Sequence, residues 1–209
     1  ENKTNLGLGA SLNKAVALAK GKYCARMDAE DRSFIDRFEV QLSYLNHNSH
    51  VDLLFTQWKE LYPDGSIKEV KPASSDVRNI QKNFFIKSIL LHPTLMVRTA
   101  ILKDHSYPEI ARPEDWVLFL KLIRLGYNFD LVEKITYEYV VDDKLKYQKV
   151  RKYSRNLLPH LAKNVRYYWS NIYFWLYFMR ILFEFIISRN HFIYSKTSTL
   201  AAIFWKKVF

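Results

Sequence analysis

A mixed α/β domain followed by a helical extension is the fold class this chain predicts, on three observations. Helix-like and strand-like patterns alternate up to Val141 without an internal repeat or low-complexity linker. A short apolar run, Tyr23 to Met27, ends abruptly in Asp28, Glu30 and Asp31. From Lys144 onward the chemistry changes, with 13 Lys and Arg against the single acid Glu184. The predicted division is therefore 1–143 for an α/β domain and 144–209 for a basic, aromatic helical tail. At 209 residues and 49% hydrophobic content the chain can bury one substantial core, which excludes a disordered protein.

Ser11 to Ala19 repeats Leu12, Ala15, Val16 and Ala19 at helical spacing, and Gly21 stops it before the strand Lys22 to Met27. Phe34 to Asn46 reads as a second helix and Val51 to Leu61 as a buried strand. Pro63-Asp64-Gly65-Ser66 is a turn into Ile67 to Val70. Ser75 to Lys87 and Thr99 to His105 read as helices. Pro113 to Leu125 opens with proline near its first turn and closes at Gly126. Two short strands, Asn128 to Val132 and Ile135 to Val141, complete the domain. The lone Cys24 lies in an apolar run, so it is expected to be a buried packing residue in a protein of a reducing compartment. The chain opens on Glu1 with no charged-then-apolar leader, and so reads as a trimmed start.

Three carboxylates closing a strand suit a divalent cation. Mg²⁺ and Mn²⁺ prefer hard oxygen ligands, and Mg²⁺ usually takes one or two from protein and the rest from water and substrate phosphates. The structural alternative is a helix start whose dipole favours acids. Arg112-Pro113-Glu114-Asp115-Trp116 poses the same choice. Its functional reading makes one carboxylate a general base and gives Trp116 a flat apolar face for a sugar ring.

The tail carries 17 of the 33 aromatic residues. Basic and aromatic residues together suit either nucleic acid or an anionic membrane surface. Ile172 to Ile187 favours the membrane, lying flat, because Arg180 and Glu184 interrupt a run shorter than the roughly 20 residues a span needs. A core helix packing on the domain is the competing reading. No helix-turn-helix, zinc or ribonucleoprotein-like motif accompanies the cations, so no nucleic-acid partner is expected.

Taken in order, Asn5-Leu6-Gly7, Ser11 and Asn13, Ala19-Lys20-Gly21-Lys22-Tyr23, Asp28-Ala29-Glu30-Asp31 and Glu114-Asp115-Trp116 resemble the family 2 glycosyltransferases. The resemblance implies a Rossmann-like GT-A fold that uses a nucleotide-diphosphate sugar with Mg²⁺ or Mn²⁺. Carried over by position, it makes Asn5, Gly7, Ser11, Asn13, Asp28 and Glu30 donor contacts, and Asp31 with Glu30 the metal ligands, Asp31 first. It makes Asp115 the catalytic base of an inverting transfer, with Glu114, Trp116 and His92 on the acceptor side. A glycan or lipid-linked acceptor, and a cytoplasmic location at the inner face of the cell membrane, follow from the resemblance and the tail together.

Three departures stand out. The strands that open other members and read the nucleobase have no counterpart before Glu1, which predicts an N-terminally truncated sheet with an open edge. Glu30 replaces the commoner Asp. Tyr139-Val140-Val141-Asp142 replaces an aromatic-Arg pair followed by His. A catalytically inactive accessory protein and a basic nucleic-acid-binding module are the alternative functions.

Overall fold

The computed structural model describes residues 2–85, 89–110, 112–141 and 146–188. In chain order they form α1 (Leu8–Leu18), β1 (Tyr23–Ala25), β2 (Arg32–Ser33), α2 (Arg37–His47), β3 (Leu53–Leu61), β4 (Ile67–Val70), α3 (Ser74–Arg78) and α4 (Ile80–Asn83). A 3₁₀ turn, His92–Thr94, leads into β5 (Met96–Arg98), α5 (Thr99–Asp104), α6 (Glu114–Arg124), β6 (Phe129–Val140), α7 (Lys146–Tyr168) and α8 (Ile172–Ile187). The strands make one sheet in the order β1-β5-β3-β6-β2, with β4 folded back on β3. Among the described strands, only β3 and β6 run parallel.

Several elements differ from the sequence expectations. The helix expected over Ser75 to Lys87 is broken into α3 and α4 by Asn79, whose ψ of 36° leaves the helical region; Lys87 lies outside the described residues. The two strands expected after Asn128 are one, β6, because Glu133 and Lys134 bulge out between Val132, opposite Thr56, and Ile135, opposite Gln57. Cys24 is half-buried rather than buried, its Sγ 3.3 Å from Thr99 Oγ1. β1 hydrogen-bonds only to β5 among the described strands, so its other edge is open.

One apolar core joins the sheet to the helices. Leu53, Phe55, Val97, Leu118, Leu122 and Leu131 pack with Leu157, Leu161, Phe174 and Ile181 of α7 and α8 in the same cluster. The inner face of α8 is thus buried on the domain, as the core-helix reading expected. Its outer face leaves Ile172, Trp175, Met179, Phe183 and Ile186 exposed, and Trp169 beside it is 71% exposed. No described helix is long and apolar enough to cross a membrane. Residues 189–209, part of the predicted tail, lie outside the described residues.

Candidate active site

The acidic turn follows directly from β1. Tyr137 of β6 reaches across it, its hydroxyl accepting from Asp28 N at 3.1 Å and donating to Asp31 Oδ2 at 2.9 Å. Asp31 Oδ1 accepts Val140 N at 2.8 Å, so both oxygens already hold a protein donor and the side chain is 5% exposed. Burial is the main reason its pKa is raised. Glu30 is exposed, with no described hydrogen bond or ion pair. Asp28 accepts from Arg26 Nη2, and Arg26 also donates to Met27 O.

The turn is held from below by a buried arginine. Arg37 of α2, 1% exposed, donates from Nη2 to Arg26 O at 2.8 Å and from Nε to Gln41 Oε1 at 3.0 Å. Gln41 in turn donates to Thr94 O at 2.9 Å. This pair ties the end of β1 to the His92–Thr94 turn, and Arg37 lies under the Tyr137 ring at 5.1 Å. Burial lowers the Arg37 pKa to about 10, which leaves it charged at neutral pH.

On the other side, α6 begins with Glu114 and Asp115. His92 Nδ1 lies 3.9 Å from Asp115 Oδ2, and His92 Nε2 lies 2.9 Å from the Tyr107 hydroxyl. Burial brings the His92 pKa down to about 3, so the ring is neutral and the separation is not an ion pair. The Asp115 pKa is raised, first by burial, although its side chain keeps 36% exposure. It lines a cavity of about 270 Å³. Glu114 is 4% exposed and its Oε2 has no described partner, and burial raises its pKa as well.

Arg26 is near enough to both acidic groups to act on each electrostatically. Paired with Asp28, its guanidinium also acts electrostatically on His92, Glu114 and Asp115, lowering the pKa of each. Arg26, Tyr107, Tyr137 and the Arg37–Gln41 pair did not emerge from the sequence. An arginine two residues before Asp28, inside an apolar run, was the one available signal.

Other predicted site residues sit differently. Asn13 donates to Tyr107 O at 2.9 Å and accepts Tyr107 N at 2.8 Å. Its amide ties α1 to that loop through one N–H and one lone pair, leaving a second of each. Asn5 accepts Gly7 N at 2.9 Å and Ser11 donates back to Gly7 O at 2.7 Å, shaping the entry to α1. No described hydrogen bond joins these residues to the acidic turn. The Trp116 ring stacks with Phe84 at 4.8 Å and with Tyr177 of α8 at 5.3 Å. It belongs to an aromatic cluster and also lines the cavity beside Asp115.

Among the described residues no group of three or more His, Cys, Asp or Glu side chains converges on a metal-sized space. A cation that takes most of its ligands from a diphosphate and water needs fewer. The exposed Glu30 carboxylate fits that need, and Asp31 offers only the lone pairs left over from Tyr137 and Val140. Glu30 is thus the more accessible of the two carboxylates expected to hold a metal, and Asp31 the more buried.

Residues 1–105 match the description Glycosyl transferase family 2. An uncharacterized glycosyltransferase of Methanocaldococcus jannaschii is 35% identical over 201 residues, covering 92% of this chain and 69% of the relative. A UDP-Gal:alpha-D-GlcNAc-diphosphoundecaprenol beta-1,3-galactosyltransferase of Escherichia coli is 28% identical over 137 residues, covering 63% of this chain and 48% of its own. S. aureus TarS 1–349 in complex with UDP-GlcNAc superposes with a TM-score of 0.61 at 19% identity, over 95% of this chain and 58% of that chain. A Pyrobaculum calidifontis mannosyltransferase in complex with GDP-Man and Mn²⁺ gives 0.59 at 15% identity, over 99% of this chain and 60% of that one. The two superpositions carry the fold, which is of the GT-A type.

Proposed function

This chain belongs to the family 2 glycosyltransferases, and from that premise we propose that it moves a sugar from a nucleotide-diphosphate donor to a hydroxyl of a cell-envelope glycan or lipid-linked acceptor, with inversion. The observation that carries the proposal is Asp115, a carboxylate lining a cavity, whose pKa burial raises and on which Arg26, paired with Asp28 of the acidic turn, acts electrostatically. Asp115 accepts the acceptor hydroxyl proton as that oxygen bonds to the anomeric carbon. The bond to the diphosphate breaks on the opposite face. Neutral His92 borders Asp115 without competing for the proton. Glu30 and, behind it, Asp31 would hold Mg²⁺ or Mn²⁺, which when bound supplies positive charge to the leaving diphosphate. The nucleotide-sugar donors of two neighbours of this fold support the donor class.

A membrane surface is the proposed setting, at the cytoplasmic inner face. The outward stripe of α8 is apolar and flanked by Trp169, and Lys152, Arg155, Lys163 and Arg166 of α7 are exposed. Each cation near anionic lipid contributes roughly 1 kcal/mol. The deciding experiment is turnover of UDP- and GDP-sugars with Mn²⁺ by wild type and Asp115→Asn. Turnover should drop about 10² to 10⁴-fold while donor affinity holds. An Asp115→Asn enzyme with near-normal turnover would remove Asp115 from the role of base.

A further inference from the structure

The cavity beside Asp115 is built on one side by residues that neither the acidic turn nor the matched segment 1–105 supplies. Its lining includes Tyr153 of α7 and Tyr177, Arg180 and Glu184 of α8. We propose that these four side chains form a subsite for one neutral sugar ring of the acceptor, which presents its hydroxyl to Asp115. The proposal rests on the glycosyltransferase reading of Asp115 and names the substrate class of that same site.

The polar groups there have unused capacity. The Tyr153 and Tyr177 hydroxyls lie 3.2 Å apart, and such a pair consumes only one of its two protons. Arg180 spends Nε on Glu184 Oε1 at 3.0 Å, which leaves both Nη groups and Glu184 Oε2 without a described protein partner. A free hydroxyl proton, a guanidinium edge and a carboxylate oxygen thus belong to side chains that line the cavity with Asp115. Phe84, Leu90 and Ile181 give it apolar walls, the mixture that suits a ring with hydroxyl edges and C–H faces.

Charge decides what kind of ligand enters. Asp115 and Glu184 contribute two negative charges against the single Arg180, so an anion would meet net repulsion while a neutral ring would not. At about 270 Å³ the cavity lies below the usual range for drug-sized ligands and suits a single ring. Any phosphate of a lipid carrier stays outside it.

Saturation-transfer NMR on the whole chain tests this without turnover, using methyl glycosides of glucose, galactose, mannose and N-acetylglucosamine as probes. At least one should receive saturation from the protein, and Arg180→Ala and Glu184→Gln should each weaken it about tenfold or more. Tyr177→Phe keeps the ring on Trp116 and removes only a hydroxyl, so it serves if the other variants fail to fold. Met179→Ala, on the outward face, should bind as wild type. No bound glycoside, or equal binding by wild type, Arg180→Ala, Glu184→Gln and Tyr177→Phe, overturns the subsite. Loss of sugar-nucleotide turnover with intact glycoside binding would instead count against the glycosyltransferase reading alone.

Discussion

Tyr137 and Asp31 are joined by a 2.9 Å hydrogen bond across 106 residues of sequence, between a fully buried phenol and a carboxylate that is 5% exposed. The same hydroxyl receives the Asp28 amide, so one oxygen fixes both ends of the acidic turn. Tyr137→Phe should cost about 1 to 3 kcal/mol, the penalty for buried groups left unpaired. A thermal melt should record it as a loss of several degrees. The donor KM should rise with it, as the turn loosens. A variant with unchanged melting and donor KM would show that the hydroxyl does not shape the turn.

Asp115 predicts the acid side of the pH profile. Burial raises its pKa above 3.8, so the base is lost by protonation at a higher pH than a free aspartate would be. The log of kcat/KM should fall with unit slope below that raised value. His92, at about 3, should add no inflection between pH 5 and 8. A profile whose acid limb sits at 3.8 or below would contradict the desolvated setting.

Glu114 predicts a stability effect of opposite use. Its folded pKa is raised above 4.5, so the folded state binds the proton more tightly than the unfolded chain. The associated stability is complete below pH 4.5 and lost as pH rises through the folded value. Glu114→Gln removes that loss and should raise the melting temperature at pH 7.5, while gaining nothing at pH 4. Equal gains at both values would mean that charge is not the cause.

How much of this was legible in advance depends on sequence distance. The helices α1, α2 and α6, the long strand β3 and the positions of Asp28 and Asp115 follow from local periodicity and short motifs. β2 and β5 were not seen because two and three residues carry no period. The single strand β6 was read as two because exposed Glu133-Lys134 imitates a turn, and only pairing with β3 reveals a bulge. Tyr137, which holds Asp28 and Asp31 across more than a hundred residues, acts through partners far along the chain, where no spacing rule reaches.

Gly9 predicts where α1 may not change. A Cβ built there falls 2.5 Å from Pro108 O and 3.8 Å from Glu114 Cβ, and the nearer atom is backbone. Gly9→Ala should therefore force α1 away from the loop that precedes α6, costing about 1 to 3 kcal/mol despite alanine's better helix propensity. A melting temperature equal to or above wild type would show that the loop yields freely.

The outward stripe of α8 predicts lipid binding. Liposomes containing phosphatidylserine should float the wild-type chain at low salt and less of it at high salt. Replacing Trp175, Met179 and Ile186 by Ser should reduce flotation in both. Flotation that is indifferent to these substitutions would remove α8 as the contact.

Because α8 shows one face to the Asp115 cavity and the other to solvent, the proposed address and the proposed subsite fall on the same sixteen residues. Cutting the chain before this helix would delete both at once, and a dead, unlocalised enzyme would say nothing about which mattered. Only side-by-side point changes, one on each flank, can tell a misplaced catalyst from a broken one.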